Sequence, residues 1–215
     1  MREERNESVC RPAYFCGALF YFLGEDDMNK NTRNSALKLA QMAMLVAISI
    51  VSLYVIPLWS VFPSAPYLQY DVADVPVLIG TMLFGPGAGL VILFLVSIIQ
   101  GLTISASGGW VGMVMHFCAS GALVVISGFI FAKWKKVWSL VLGLALGALA
   151  MTAVMVPMNL FLTVRFYGVP YDSVKDLIVP VTIPFNLIKA GLNSTITAIL
   201  FFPLKSILNR MHLHQ

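Results

Sequence analysis

Asn186, Lys189, Asn193 and Thr197 recur at steps of three, four and four residues inside the apolar stretch PFNLIKAGLNSTIT. At about 3.6 residues per turn these side chains share one helix face. An ammonium in hydrocarbon costs about 2.5–3.5 kcal/mol on insertion scales, so Lys189 must face a partner, a water-filled cavity or a ligand. It therefore reads either as a ligand contact or as half of a buried ion pair. The ion-pair reading lacks a permanent carboxylate, because no Asp or Glu falls within any apolar span. Asn193 and Thr197 lie deeper and are expected to make helix-to-helix hydrogen bonds.

A second polar group precedes an apolar run in YLQYDVADVPVLIG, residues 67–80. Asp74 stands where a helix N-cap belongs, with Pro76 in the first turn, where a missing donor costs little. Asp71 has no such structural role. The PSAPYLQY segment before it is aromatic and stiffened by Pro63 and Pro66, and is long enough to close as a lid over a site between helices.

These residues need a scaffold, and composition names its solvent. With 59% apolar residues against 11% charged ones, the chain cannot wrap a soluble core in a wetted surface. It is expected to be all-α, a multi-pass membrane bundle of six helices over about 36–57, 75–85, 86–104, 110–132, 137–164 and 179–204. The second and third spans are separated by GPGAG at 85–89, where Pro86 removes a donor and the glycines favour a turn. Six crossings gather Lys30, Arg33, Lys38, Lys133, Lys135, Lys136, Lys205 and Arg210 on one face, which the positive-inside rule makes cytoplasmic. Both termini then lie in the cytoplasm, and the loop of residues 58–74 is external. The second span is too short to cross alone, so its end must pack against protein. Residues 28–215 form the membrane domain. Residues 1–27 read as a tail from an upstream start at Met1, with Met28 as the working start, or as an interfacial segment.

In this topology Asn159, about one and a half turns from the outer end of the fifth span, joins Asn186 and Lys189 in the outer half of the bundle. Neutral amides with one cation suit a planar, polar-edged small molecule. They do not suit a metal ion, which wants carboxylates or clustered His and Cys. Cys10, Cys16 and Cys118 have neither metal-ligand spacing nor an even count. His116 reads as a hydrogen-bonded helix contact. Ala36, Ala40, Ala43 and Ala47 share one face of the first span, where small residues admit a close helix from the bundle or from a separate membrane protein. The small residues of GLALGALA at 143–150 read as internal packing.

Other chemistries lack their residues. The net charge of +4 forms no basic stripe interleaved with aromatics, so nucleic acid is not a partner. There is no GxxxxGK[ST] phosphate loop, no intramembrane carboxylate for proton relay and no nucleophile–base pair for an intramembrane enzyme. An external pocket without its own power source implies power borrowed from a partner.

The stretches YLQYDVADVPVLIGTMLFGPGAG, PMNLF and TIPFNLIKAGL, with the alanine face of the first span, resemble the riboflavin-specific S components of energy-coupling-factor (ECF) transporters over about residues 36–210. The resemblance implies a bacterial cell-membrane protein with no enzymatic activity and no cofactor of its own. It implies capture of riboflavin or a related flavin from outside and docking onto a transmembrane coupling protein driven by two cytoplasmic ATPases. It further implies that Asn159, Asn186 and Lys189 contact the flavin, that Tyr67, Leu68 and Tyr70 close over it, and that Ala36, Ala40, Ala43 and Ala47 meet the coupling protein. Asp71 is expected to fix the closed loop through backbone hydrogen bonds. The third and fourth spans depart from the family pattern, with Leu93, Val96, Ser97, Met113 and His116 where polar or charged residues are frequent. An S component for another vitamin and a non-transporting scaffold are the alternatives.

Overall fold

A computed structural model describes residues 30–56, 59–60, 69–104 and 109–212. The expected tail, residues 1–27, and the lid residues Tyr67 and Leu68 lie outside the described residues. The chain divides into two compact units, 1–40 and 41–215. Among the described residues the first unit holds only the start of helix α1 (Lys30–Val55), whose residues 35–40 are exposed; the bundle belongs to the second.

After α1 the chain makes a two-residue ladder, β1 (Trp59–Ser60) antiparallel to β2 (Gln69–Tyr70), an addition to the all-α expectation. The helices α2 (Asp74–Phe84), α3 (Pro86–Leu102), α4 (Gly109–Trp134) and α5 (Val137–Met158) follow. Between α2 and α3 the backbone turns at Gly85, whose φ of 94° is open to glycine and strained for other residues. Pro86 then opens α3, where its missing N–H is no loss. As expected of a span too short to cross alone, α2 is buried from Asp74 to Met82.

The most extensive helix pair is α4 with α5. Gly143 and Gly147 of GLALGALA make it possible: a Cβ on Gly147 would stand 2.9 Å from the Leu123 carbonyl oxygen, and one on Gly143 3.0 Å from that of Ser127. Leu123, Leu140, Leu93, Val96 and Met151 fill the core, while Phe94, Phe129, Leu149 and Ile199 face outward. An apolar exterior of this kind suits lipid rather than water. Four helical stretches are long and apolar enough to span a bilayer, Ser35–Val55, Gly109–Trp134, Val137–Tyr167 and Tyr171–Leu204; α2 and α3 are shorter.

The last two stretches are not plain α-helices. α5 passes through a π-helical turn at Asn159–Thr163 into α6 (Val164–Tyr167), and α7 (Tyr171–Leu177) passes through another at Ile178–Thr182 into α8 (Ile183–His212). Proline accompanies both, Pro157 just before the first turn and Pro180 within the second. A proline cannot donate to the ladder, and a widened turn is one way for a helix to continue past it.

Candidate functional site

The segment Tyr70–Asp74 enters the bundle as the chain passes from β2 to α2, and its two carboxylates become the centre of a buried polar network. Lys189 of α8, 6% exposed, places Nζ 2.9 Å from Asp71 Oδ2 and 4.0 Å from Asp74 Oδ2. Gln100 of α3 donates to the same Asp71 oxygen at 3.3 Å. Ser120 of α4 donates to Asp74 Oδ2 at 3.0 Å, and His116 Nε2 stands 3.6 Å from Asp74 Oδ1, beyond hydrogen-bond reach. Asn193, one turn beyond Lys189, donates from Nδ2 to the Asp71 backbone carbonyl at 3.1 Å and accepts the Tyr70 hydroxyl on Oδ1 at 2.9 Å. Ser49 of α1 donates to the Ala73 carbonyl at 3.1 Å. Four helices thus hold four of the five residues from Tyr70 to Asp74.

Burial pushes the Asp71 carboxyl up, but the Lys189 ammonium, the neighbouring His116 and the hydrogen bonds from Lys189 and Gln100 hold it below the usual carboxylate range. It stays ionised at neutral pH. Burial and the adjacent Asp71 carboxylate push the Tyr70 hydroxyl up, so it remains a donor to Asn193. Several polar atoms of this region are buried without a protein partner: Asp71 Oδ1, Asp74 Oδ1, Ser97 Oγ, Gln100 Oε1, His116 Nε2 and Asn186 Oδ1. Buried polar groups are nearly always paired with protein, water or a ligand, so these atoms are positions where a partner from outside the chain fits.

Several sequence expectations change here. Lys189 does have a carboxylate partner, because the loop carries Asp71 into the bundle; counting acids within spans could not show it. Asp71 fixes the loop chiefly through its side chain, and the backbone bond runs from Asn193 to its carbonyl. Asp74 is not an N-cap: Ala73 precedes the helix in an αR conformation with no side-chain cap, and the Asp74 carboxylate turns inward to Ser120. Asn193 bonds the loop rather than another helix, and Thr197 donates to the Asn193 carbonyl of its own helix. His116 faces Asp74 without a hydrogen bond.

Asn159 and Asn186 are fully buried, the first opening one π-helical turn and the second four residues after the other. Asn159 donates to the Met155 carbonyl at 2.9 Å and accepts from Thr163 at 3.3 Å. Asn186 donates to the Thr182 carbonyl at 2.8 Å, leaving Oδ1 unpaired. Both amides fold back on their own helix, and no hydrogen bond joins either to the Asp71–Lys189 network. Gln100 and Ser120 escaped the sequence reading. Gln100 ends the VSIIQ run and was legible as a polar residue inside an apolar span, whereas nothing in the sequence distinguishes Ser120 from other helix serines. Ala36, Ala40, Ala43 and Ala47 are all exposed on α1. Among the described residues no cluster of His, Cys, Asp and Glu could hold a metal ion.

Residues 37–201 match the sequence profile of the ECF transporter substrate-specific component. The chain belongs to this family. This S component is similar to the riboflavin transporter FmnP of Bacillus subtilis, 27% identical over 79% of this chain and 94% of the relative. It also resembles the riboflavin transporters RibU of Streptococcus thermophilus, 29% identical over 84% and 87%, and of Staphylococcus aureus, 30% identical over 68% and 79%. Its fold matches a solved S component of a bacterial ECF transporter with a TM-score of 0.71 at 29% identity, covering 81% of this chain and 98% of the other. The S component is thus a membrane substrate-binding subunit of a transporter, not an enzyme, and works with an ECF energising module.

Proposed function

We propose that this S component captures riboflavin or a closely related flavin outside the cell, for ATP-driven uptake by a transmembrane coupling protein and two cytoplasmic ATPases. The chain crosses the membrane six times with both termini in the cytoplasm, as the grouping of its basic residues supports. No cofactor takes part, and the flavin is cargo. The observation that carries the reading is the Asp71–Lys189 ion pair, which ties the last helix to the end of the lid segment. An ammonium has three N–H donors, and Asp71 takes one of them. The remaining donors, with the unpaired Asn186 oxygen, suit a ring edge that offers both acceptors and an N–H. Asn159 completes the polar edge, Tyr67, Leu68 and Tyr70 close over the ring, and Asp71 and Asp74 hold the loop in register. The fully buried Leu93 and Val96 supply an apolar wall for the ring system. The exposed alanines at 36, 40, 43 and 47 form the face for the coupling protein.

Riboflavin fluorescence is quenched when the ring stacks in protein, so titrating the purified chain with riboflavin tests the proposal directly. Asn186→Ala should weaken binding about tenfold to a hundredfold, the loss of one hydrogen bond to a buried polar group, and Lys189→Ala should weaken it further because it also strips Asp71 of its partner, while both leave co-purification with the module intact. Ala43→Leu and Ala47→Leu should do the reverse. A chain that carries no flavin and fails to quench riboflavin would redirect the search to other vitamins. Equal loss of binding and assembly in every variant would overturn the division of roles.

A further inference from the structure

Twelve residues beyond Lys189 along α8, about 18 Å at 1.5 Å per residue, Phe201 lines a cavity of about 500 Å³. Met82, Leu83 and Phe84 at the end of α2, Phe131 of α4 and Phe201 give it an apolar side, while Thr81, the Gly85 turn and Lys135 make the rest of its lining polar. Among the described residues one charged residue lines it, Lys135. No part of the polar network described above reaches this cavity.

Lys135 sits in the two-residue break between α4 and α5 with φ of 51°, the only non-glycine residue with positive φ among the described residues. Its N–H closes α4 onto the Phe131 carbonyl at 2.8 Å, the position where a helix commonly takes glycine in the left-handed conformation. Glycine adopts that backbone without the Cβ clash that a lysine must bear. A strained residue kept at the mouth of a cavity points to its side chain as the reason. The surroundings are those of a membrane–water boundary. Trp134 and Trp138 are half exposed and stacked with centroids 5.5 Å apart, Lys133 lies 5.4 Å from the Trp134 ring, and Lys136 follows. Tryptophans with lysines mark the headgroup level, and basic pockets between transmembrane helices on the cytoplasmic side receive anionic headgroups.

We propose that this cavity is a binding site for an anionic phospholipid, with an acyl chain against Phe84, Phe131 and Phe201 and the headgroup phosphate on Lys135. The occupant must meet an apolar side with an apolar part and Lys135 with an anion at the water boundary, and a bilayer lipid supplies both at high local concentration. A free phosphate satisfies only the lysine. A zwitterionic lipid satisfies the wall, but its own ammonium competes for the phosphate.

The test uses the full chain with Trp59→Phe and Trp110→Phe, so that Trp134 and Trp138 report alone, in nanodiscs of phosphatidylcholine carrying a small fraction of chain-brominated phosphatidylglycerol or chain-brominated phosphatidylcholine. Brominated phosphatidylglycerol should quench as though enriched roughly fivefold around the tryptophans, the factor expected for one basic residue meeting an anionic headgroup. Lys135→Gly, which keeps the turn, should remove that enrichment. Lys136→Gln, which removes the same charge outside the cavity, should leave most of it, and inorganic phosphate should not displace the lipid. Ala132→Phe, which narrows the cavity without touching a charge, should lower it as well. Equal quenching by the two lipids, or equal effects of Lys135→Gly and Lys136→Gln, would reduce the site to diffuse surface attraction and overturn the proposal.

Discussion

Two lysines of this bundle are held in opposite ways. Lys189 is buried and answered from within the chain: Asp71 reaches it at 2.9 Å, Asp74 stands 4.0 Å away, and Gln100 and Ser120 hold those carboxylates in place. Lys135 is exposed, sits in a strained backbone conformation and has no ion pair among the described residues. A buried ammonium without a counter-charge is too costly to persist, so the loop must bring an acid to it. An ammonium at the water boundary is solvated already, and its position is open to be used. The difference separates a charge that organises the fold around a site from one that is free to meet something outside the chain.

The largest test removes the answer to Lys189. Asp71→Ala leaves a buried ammonium facing only Asp74 and should cost about 3–5 kcal/mol, the usual penalty for breaking a buried pair from one side. Thermal unfolding in detergent, followed by tryptophan fluorescence, reads it. The double variant Asp71→Leu with Lys189→Met should recover most of that loss, because apolar side chains of similar size need no desolvation, yet should bind no flavin. If the double variant is as unstable as Asp71→Ala, shape rather than charge holds this region, and the contrast between the two lysines fails at its first term.

Much of this contrast was legible in the sequence, and the part that was not has a physical cause. The apolar helices, the Gly85–Pro86 turn and the small-residue seam of α5 follow from hydropathy and backbone chemistry, which act locally. Lys189 announced itself because hydrocarbon is intolerant of charge. Its partner did not, because Asp71 lies 118 residues earlier and outside every helix, and pairing across such a separation is decided by how the loop enters the bundle. For the same reason Asp74 read as a cap: its position before Pro76 fits one, while the pull of Ser120 and Lys189 exists only after α4 and α8 have packed. The two π-helical turns were also invisible, since prolines inside apolar spans foretell an interruption but not its form.

A smaller test asks how far the network extends from Lys189. Ser120→Ala removes the 3.0 Å hydrogen bond to Asp74 and leaves that oxygen with only the ammonium at 4.0 Å. The expected loss of stability is about 1–2 kcal/mol, that of a buried acceptor deprived of its donor. A larger loss of flavin affinity than of stability would place Asp74 in service of the ligand as well as of the loop.

The smallest expected effect is on Lys135, and its sign matters more than its size. If the residue served stability, Lys135→Gly would be neutral or harmful. If its backbone is strained for the sake of the side chain, glycine should relieve the left-handed φ, and the same thermal scan should show a gain of about 0.5 kcal/mol, the Cβ penalty less the added chain entropy of glycine. Lys135→Ala keeps the Cβ while removing the charge and its aliphatic stem, so it should give no such gain. A gain for glycine alone would mean that this position gives up stability to keep a lysine, the reverse of Asp71, whose removal destabilises the fold. A gain for both variants would assign the cost to crowding of cations around Trp134 and Trp138, and the backbone argument for the cavity would fall while the lipid titration still stood as its own test.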